Sequence, residues 1–341
     1  MLIEFRVENH RSLRNELVMT MAVGRGGDDS DPRPRHVPGH DEDLLTVAAI
    51  YGANASGKSN VLTALNFVRE AVMHSHRFWA PDEGVPRTSF AWGAKHAEPS
   101  LFEVKFLVAG VRYEYGFVAS DECFVEEWLY AWPNGRQQSW FEREEGKPIK
   151  FGENLKGENK VIEEVTRPNA LFLSAAAQHR HAQLQPITSW FRSVRPMNLG
   201  MSSAMNRRFY APSFESENSL TRLFDSELGE SNTRQPMLFA DEQGGSIRER
   251  FRNLIRKADI GIVDVKVVAR EFDDQPRPRR IRRFLMQHQS DTEDAWLPLE
   301  EESRGTQTLF RMALPILQVM DEGWRRCRSR SWICVSTRAT P

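Results

Sequence analysis

The chain of 341 residues is poor in cysteine, has no long apolar run and carries no excess of charge. Its three cysteines, Cys123, Cys327 and Cys334, stand too far apart for metal-ligand or disulfide spacing, which predicts free thiols in a reducing compartment. No apolar stretch approaches the roughly 20 residues of a membrane span. The opening "MLIEFRVENHRSL" interleaves charges with its apolar residues, unlike a secretory leader. A cytosolic protein with no membrane partner is expected. The formal net charge of −1 excludes a global field that would draw the chain to nucleic acid, so any such contact must be local. Internal repeats and low-complexity segments are also lacking. With apolar residues at 40%, a chain of this length can bury a core without covalent staples.

What is present is a change of rhythm along the chain. "LIEFRVEN" alternates as a half-buried strand, and residues 24–43 are rich in Gly, Pro, Asp and His and read as a loop. "LLTVAAIY" (44–51) is continuously apolar, as suits a strand buried on both faces. From Lys58 to about Val72 the apolar positions Leu62, Leu65, Val68 and Val72 follow a helical period. From Leu101 to about Arg143 the period becomes two, predicting an antiparallel meander. There "AG" and "PNG" mark turns, and Asn134-Gly135 favours a type I′ hairpin. Residues 160–194 read as helical with a break near Pro168. "SIRERFRNLIRKADI" (246–260) predicts an amphipathic helix with Phe251, Leu254 and Ile255 inward. "GIVDVKVVARE" and "RRFLMQHQ" predict paired strands. In "GTQTLFRMALPILQVM" (305–320), Leu309, Met312, Ile316 and Met320 share a helical face and Pro315 predicts a kink.

The chemistry concentrates in "GANASGKS", residues 52–59, which fits G-x-x-x-x-G-K-[ST] at every fixed position between an apolar strand and an amphipathic helix. Glycines let such a loop fold back so that its amides and the positive end of the helix face phosphate oxygens. Gly52, Asn54, Ala55, Ser56, Gly57, Lys58, Ser59 and Asn60 are the candidate ATP-binding residues. Lys58 supplies a point charge on the β- and γ-phosphates, and the Ser59 hydroxyl is the expected Mg2+ ligand. A lysine buried in an ordinary glycine-rich turn without an anion would cost several kcal/mol. A second candidate is "EEESRGTQTLF" (300–310), where Ser303 and Gly305 precede a helix. One reading is a simple cap, the other a second anion site.

"MLIEFRVENHRSL", "YGANASGKSNVL" and "ESRGT" before a helix together resemble the ABC-type ATPases of the SMC and overcoming-lysogenisation-defect kind. More narrowly they resemble bacterial AAA-type ATPases of defence and restriction loci. The resemblance spans nearly the whole chain and departs from it at His10, where the family usually has an aromatic residue. It implies an α/β fold: an ABC-type P-loop head with an antiparallel meander and a helical lobe. It implies one domain over residues 1–341. The P-loop core and β subdomain would fill 1–150 and the helical lobe 151–260. The signature loop, its helix and an incomplete C-terminal core would fill 261–341. It also implies homodimerisation, with ATP held between the Lys58 loop of one head and Ser303 and Gly305 of the other, and a partner nuclease or effector. The Mg2+-contacting glutamine of such heads is assigned to Gln178.

The resemblance also calls for an apolar strand followed by Asp-Glu to hold magnesium and activate water. Asp321-Glu322 follow a helical stretch and read as a helix end, and after "WICV" the closing "STRATP" holds no carboxylate. A truncation or frameshift is one expectation, since "VSTR" encoded as GTG-TCG-ACG-AGN and read two bases later gives Val-Asp-Glu. The chain should then bind ATP better than it hydrolyses it. A non-hydrolysing, nucleotide-dependent interaction module is the alternative. A small-molecule kinase would leave the meander and "ESRGT" unexplained. The arginines between Arg277 and Arg283 offer phosphate contact with nucleic acid or, more plainly, an exposed strand edge. His74 with His76 and His179 with His181 have metal-like spacing but no accompanying carboxylate or thiol cluster, which favours solvated surface.

Overall fold

The computed structural model describes residues 1–24, 34–37, 42–52, 56–194, 224, 244–258, 261–272, 279–289, 295–326 and 332–334. Asn54, Ala55 and Arg277 lie outside the described residues. The chain divides into two compact units, residues 1–199 with 327–341, and residues 200–326.

The first unit is built on a seven-stranded antiparallel sheet of order β2-β1-β4-β5-β6-β7-β8. Its strands are β1 (Leu2–Glu8), β2 (Leu17–Thr20), β4 (Ser100–Val108), β5 (Val111–Ala119), β6 (Phe124–Trp132), β7 (Gln138–Glu144) and β8 (Lys150–Phe151). The period-two stretch of sequence therefore forms the expected meander, and "LIEFRVEN" joins its edge. Alternation sends Phe5, Phe102, Phe106, Tyr115, Phe117 and Phe141 to one face, where all are fully buried. The helices α1 (Lys58–Phe78), α3 (Phe172–Gln178) and α4 (Gln185–Ser193) supply most of the helical side of that core. A shorter helix, α2 (Asn159–Glu164), precedes α3. The opposite face carries ion pairs in register, with Arg6 2.9 Å from Glu103 and Lys105 2.8 Å from Glu4.

The turns differ in detail from the sequence reading. Ala109 and Gly110 both have positive φ, 50° and 81°, and Val108 pairs Val111, so the two-residue type I′ turn joins β4 to β5. At Asn134-Gly135 only the glycine is left-handed, at 74°, because a five-residue connection relieves the loop of the tight geometry.

The run at 44–51 also differs. Only Val47–Ala49 form a strand, β3, and Val47 is 58% exposed rather than buried on both faces. Its neighbour among the described residues is β12 (Trp332–Cys334), which runs parallel to it with Ile333 opposite Ala48. Among the described residues it has this one flanking strand: Val47, Ala49 and Tyr51 are exposed, Leu45, Ala48 and Ile50 are half-buried against the core, and Leu44 is fully buried.

A buried carboxylate ties sheet to helices. Glu127 on β6 has no exposure. It accepts the amides of Phe172 at 2.7 Å and Leu173 at 3.0 Å and the Tyr115 hydroxyl at 2.9 Å. Arg143 lies 3.5 Å away and also donates to the Ala170 carbonyl. The α3 N-terminus has no cap of its own, so Glu127 satisfies amides that the helix leaves open. Burial pushes this carboxyl upward in pKa, while Arg143, the two amides and the hydroxyl hold it back.

In the second unit α5 (Gly244–Ala258) and α6 (Arg304–Arg326) share a core with a sheet of order β11-β10-β9. Its strands are β9 (Ile262–Phe272), β10 (Arg279–His288) and β11 (Trp296–Pro298). Phe251 and Ile255 are buried as the period requires, with Leu254 packed beside them. On α6 the buried face is Phe310, Ala313, Leu314 and Leu317, one position round from the expected stripe of Leu309, Met312 and Ile316. Thr306 sits under the same face because its hydroxyl is consumed at the helix start. The helix continues through Pro315 to Arg326.

Glu127→Ala should cost about 3 kcal/mol, since it strands two buried amides and a hydroxyl. Urea unfolding of the full chain measures this.

Candidate functional site

The candidate site grows from a backbone reversal. Gly57 adopts φ 90° directly before α1, in the left-handed region that favours glycine. A Cβ at Gly57 would stand 2.8 Å from the Ser12 hydroxyl and 3.2 Å from Leu13, so no larger residue fits without displacing that segment. The α1 N-terminus has neither a side-chain cap nor an acidic residue in its first turn. Its positive dipole end, with no side-chain cap and no carboxylate in the first turn, is a favourable place for an anion.

Lys58 folds back over this loop, its ammonium donating to the Gly52 carbonyl at 2.8 Å. A Cβ on Gly52 would come within 2.9 Å of Ser56 Oγ, which shows how closely the loop ends approach. Ser56 and Ser59 are exposed, and Lys58 and Asn60 are half-buried. The Asn60 side chain donates to Ser12 Oγ at 2.7 Å, so it props the loop rather than lining it. This donor set fits a triphosphate: a helix N-terminus without a side-chain cap, one ammonium and the exposed hydroxyls of Ser56 and Ser59, with no carboxylate in the helix's first turn to oppose it.

The turn "NHRSL" at 9–13 is the support that the motif alone does not reveal. Asn9, at φ 57° and fully buried, donates to the carbonyls of Lys95 and Glu98 at 2.8 and 2.7 Å. It also accepts the Phe90 amide at 2.9 Å. These bonds lock the turn that sets Ser12 against Gly57. A polar, turn-forming "EN-HRS" after a strand is the signal that could have found it.

His10 takes the place of the family's aromatic residue and behaves as one. Its ring lies edge-on to Phe102 at 5.6 Å and stacks on Phe67 at 6.3 Å. Thr63 gives its hydroxyl proton to the Asn60 carbonyl, so His10 Nε2–H donates to Thr63 Oγ1 at 3.2 Å and Nδ1 is bare. Burial, with a smaller contribution from Arg11, lowers its pKa to about 3.

Gln178 is placed elsewhere. It is exposed at the end of α3, next to His179, whose ring lies 6.0 Å from that of His76 in the last turn of α1. Ser59 is in the first turn of the same helix, about 25 Å away at 1.5 Å per residue. Gln178 and Ser59 cannot share one magnesium ion, because α3 packs along the far end of α1.

Among the described residues no three His, Cys, Asp or Glu side chains converge as metal ligands. His181 is buried instead of solvated: Nδ1 accepts the Leu184 amide and Nε2 donates to Asn159.

In the second unit Ser303 is the cap of α6. Its hydroxyl accepts the Thr306 amide at 3.1 Å and meets the Thr306 hydroxyl at 2.9 Å. Ser303 and Gly305 are both exposed. Asp321 and Glu322 belong to α6 itself.

A P-loop of this form and its setting agree with the comparison to known families. The profile described as "AAA domain, putative AbiEii toxin, Type IV TA system" matches residues 47–324. The chain belongs to this family of AAA domains. No curated protein sequence gives a significant match. The AAA membership makes this a P-loop ATPase-family domain in which ATP, typically with Mg2+, is the nucleotide used. The match begins at β3 and ends within α6, so it contains both Lys58 and Ser303. Among the described residues no helix is long and apolar enough to cross a membrane.

The low pKa of His10 gives a pH dependence with a definite sign. Above pH 6.5 both folded and unfolded chains hold it neutral, and its contribution to stability is complete. As pH falls from 6.5 toward 3 the unfolded chain takes up a proton that the fold refuses. Stability on the order of 4 kcal/mol is lost across that window. His10→Phe should flatten this part of the profile, as read by urea midpoints at neutral and acidic pH.

Proposed function

We propose that this AAA domain is an ABC-type head whose ATP recruits a second copy of the chain. The carrying observation is the Gly57 reversal into an α1 N-terminus that has no side-chain cap and no first-turn carboxylate, with Lys58 folded back over the loop. In this reading the loop amides and Lys58 bind the β- and γ-phosphates, and Ser59 holds Mg2+, which when bound neutralises charge between those phosphates. Ser12, through Asn60 and its contact with Gly57, keeps the loop in its receptive shape. Ser303 and Gly305 of a partner copy complete the γ-phosphate contact from outside. Their exposure and the α6 N-terminus beneath them support that role. Because the γ-phosphate differs between ATP and ADP, its loss would release the partner. The family description names a toxin of a toxin–antitoxin system, which supports a role in switching a protein effector in phage or DNA defence.

The second reading is a nucleotide-dependent interaction module that does not hydrolyse ATP. It is favoured by Asp321 and Glu322 lying within α6 instead of at the end of a strand beside the P-loop. Steady-state phosphate release divides the two readings: turnover supports the switch, and nucleotide-dependent dimerisation without turnover supports the module.

Lys58→Ala should weaken ATP binding at least ~100-fold, equivalent to about 2.7 kcal/mol, in a fluorescent-nucleotide titration. Ser303→Arg should leave that affinity within about twofold and cost about 1 kcal/mol of capping. In sedimentation it should abolish ATP-dependent dimers. Dimers that persist in Ser303→Arg would overturn the partner role assigned to this turn.

A further inference from the structure

We propose that the far half of the β9–β10 ribbon is an arm that enters the major groove of duplex DNA. The two strands pair over ten positions, from Arg279 opposite Phe272 to His288 opposite Ile262. The near half is anchored: Val265, Val267, Phe284 and Met286 are buried in the core of the second unit. Beyond Val267 and Phe284 the composition changes abruptly. The paired segments Val268–Phe272 and Arg279–Arg283 carry five arginines, Arg270, Arg279, Arg280, Arg282 and Arg283, against the single acid Glu271. This happens in a chain whose net charge is −1.

The register of the ribbon assigns arginine positions to both faces. Register pairs Arg283 with Val268, Ile281 with Arg270 and Arg279 with Phe272 on one face. Arg282 opposite Ala269 and Arg280 opposite Glu271 occupy the other, which in the near half is the core face. Along that face the positions change from Val265, Val267, Phe284 and Met286 to Arg282 and Arg280. At the junction, Arg283 and Val268 are exposed.

Arginine positions on both faces suit an element with phosphates on either side. A ribbon lying on an anionic membrane would need them on one face only. Two strands about 4.8 Å apart fit a B-form major groove of about 12 Å, whereas the A-form RNA groove is too narrow. The five paired positions of the far half reach about 17 Å, enough to enter the groove from the rim. Arginine rather than lysine at all five positions suits forked contact with phosphate oxygens and guanine edges. Only Phe272 is aromatic there, which does not supply the stacking row that single strands require. The arm lies in the second unit and its test uses no nucleotide, so it stands or falls separately from the ATP reading.

The test is fluorescence anisotropy of the full chain with a labelled DNA duplex at several salt concentrations between ~50 and ~200 mM. Binding should weaken with salt at a log–log slope of about −3 to −4, as expected for some four phosphate contacts. The fourfold variant Arg279→Gln/Arg280→Gln/Arg282→Gln/Arg283→Gln should bind at least ~10-fold more weakly with a flatter slope. The matching Arg→Lys variant should restore the slope. If the fourfold variant loses its thermal transition, Arg283→Glu alone decides, with an expected weakening of about 3- to 10-fold. Any of the following would overturn the arm: no salt-dependent duplex binding, equal affinity for duplex RNA, phosphatidylserine vesicles bound in preference to DNA, or unchanged affinity in the folded variants.

Discussion

The first unit depends on one carboxylate. Glu127 is fully buried on β6 and receives the opening amides of α3, a tyrosine hydroxyl and the field of Arg143. A buried acid is costly unless every oxygen is matched. Here the donors come from β5, β7 and α3, so the matching requires the meander and the helices to be assembled together. Arg143 extends the constraint by binding the carbonyls of Arg167, Pro168 and Ala170, which fixes the chain leading into α3. The aromatic layer supplies hydrophobic stabilisation, but it tolerates sliding more readily than this polar junction does. Register and helix placement follow from the junction.

The phosphate loop is held by a different set of contacts at the opposite end of α1. The turn after β1, pinned by Asn9, presents Ser12 to Gly57 and Asn60. Two residues of that turn, Asn9 and Arg11, sit at positive φ. Such strain persists only where surrounding bonds over-determine it, and the bonds of Asn9 to three backbone segments do so. The first strand and the P-loop, far apart in sequence, thus form one structural piece. This explains why the family resemblance is carried jointly by "ENHRSL" and "GANASGKS".

Much of the fold could be read in advance because its signals are local. Period-two alternation located the meander, and the 52–59 loop announced its helix. The amphipathic period of α5 named its buried residues. The errors arose where the outcome depends on partners that a local pattern cannot supply. Val47 sits in an apolar run yet is exposed, because strand burial depends on flanking strands. The face of α6 was misassigned by one position because Thr306 turns inward to meet Ser303. Asn134-Gly135 carries the stronger hairpin signal, but Ala109-Gly110 makes the tighter turn, since the loop length was decided by strand register. Gln178 was drawn to the magnesium site by residue type, and only the packing of α3 along α1 shows how distant it is. The departure at His10 is explained by tautomer and burial, neither of which is visible in a string of letters.

Helix α1 is electrically asymmetric. At its C-terminal end Arg167 donates to the carbonyls of Ser75 and His76 at 3.0 and 2.8 Å, neutralising the negative pole from within the chain. At the other pole, among the described residues, no side chain caps the helix. An anion arriving there would balance the positive pole as Arg167 balances the negative one. Occupancy and conformational stability are consequently coupled through mass action. The melting temperature of the first unit would rise with ligand concentration, and the protein's lifetime in a cell would follow its energy supply.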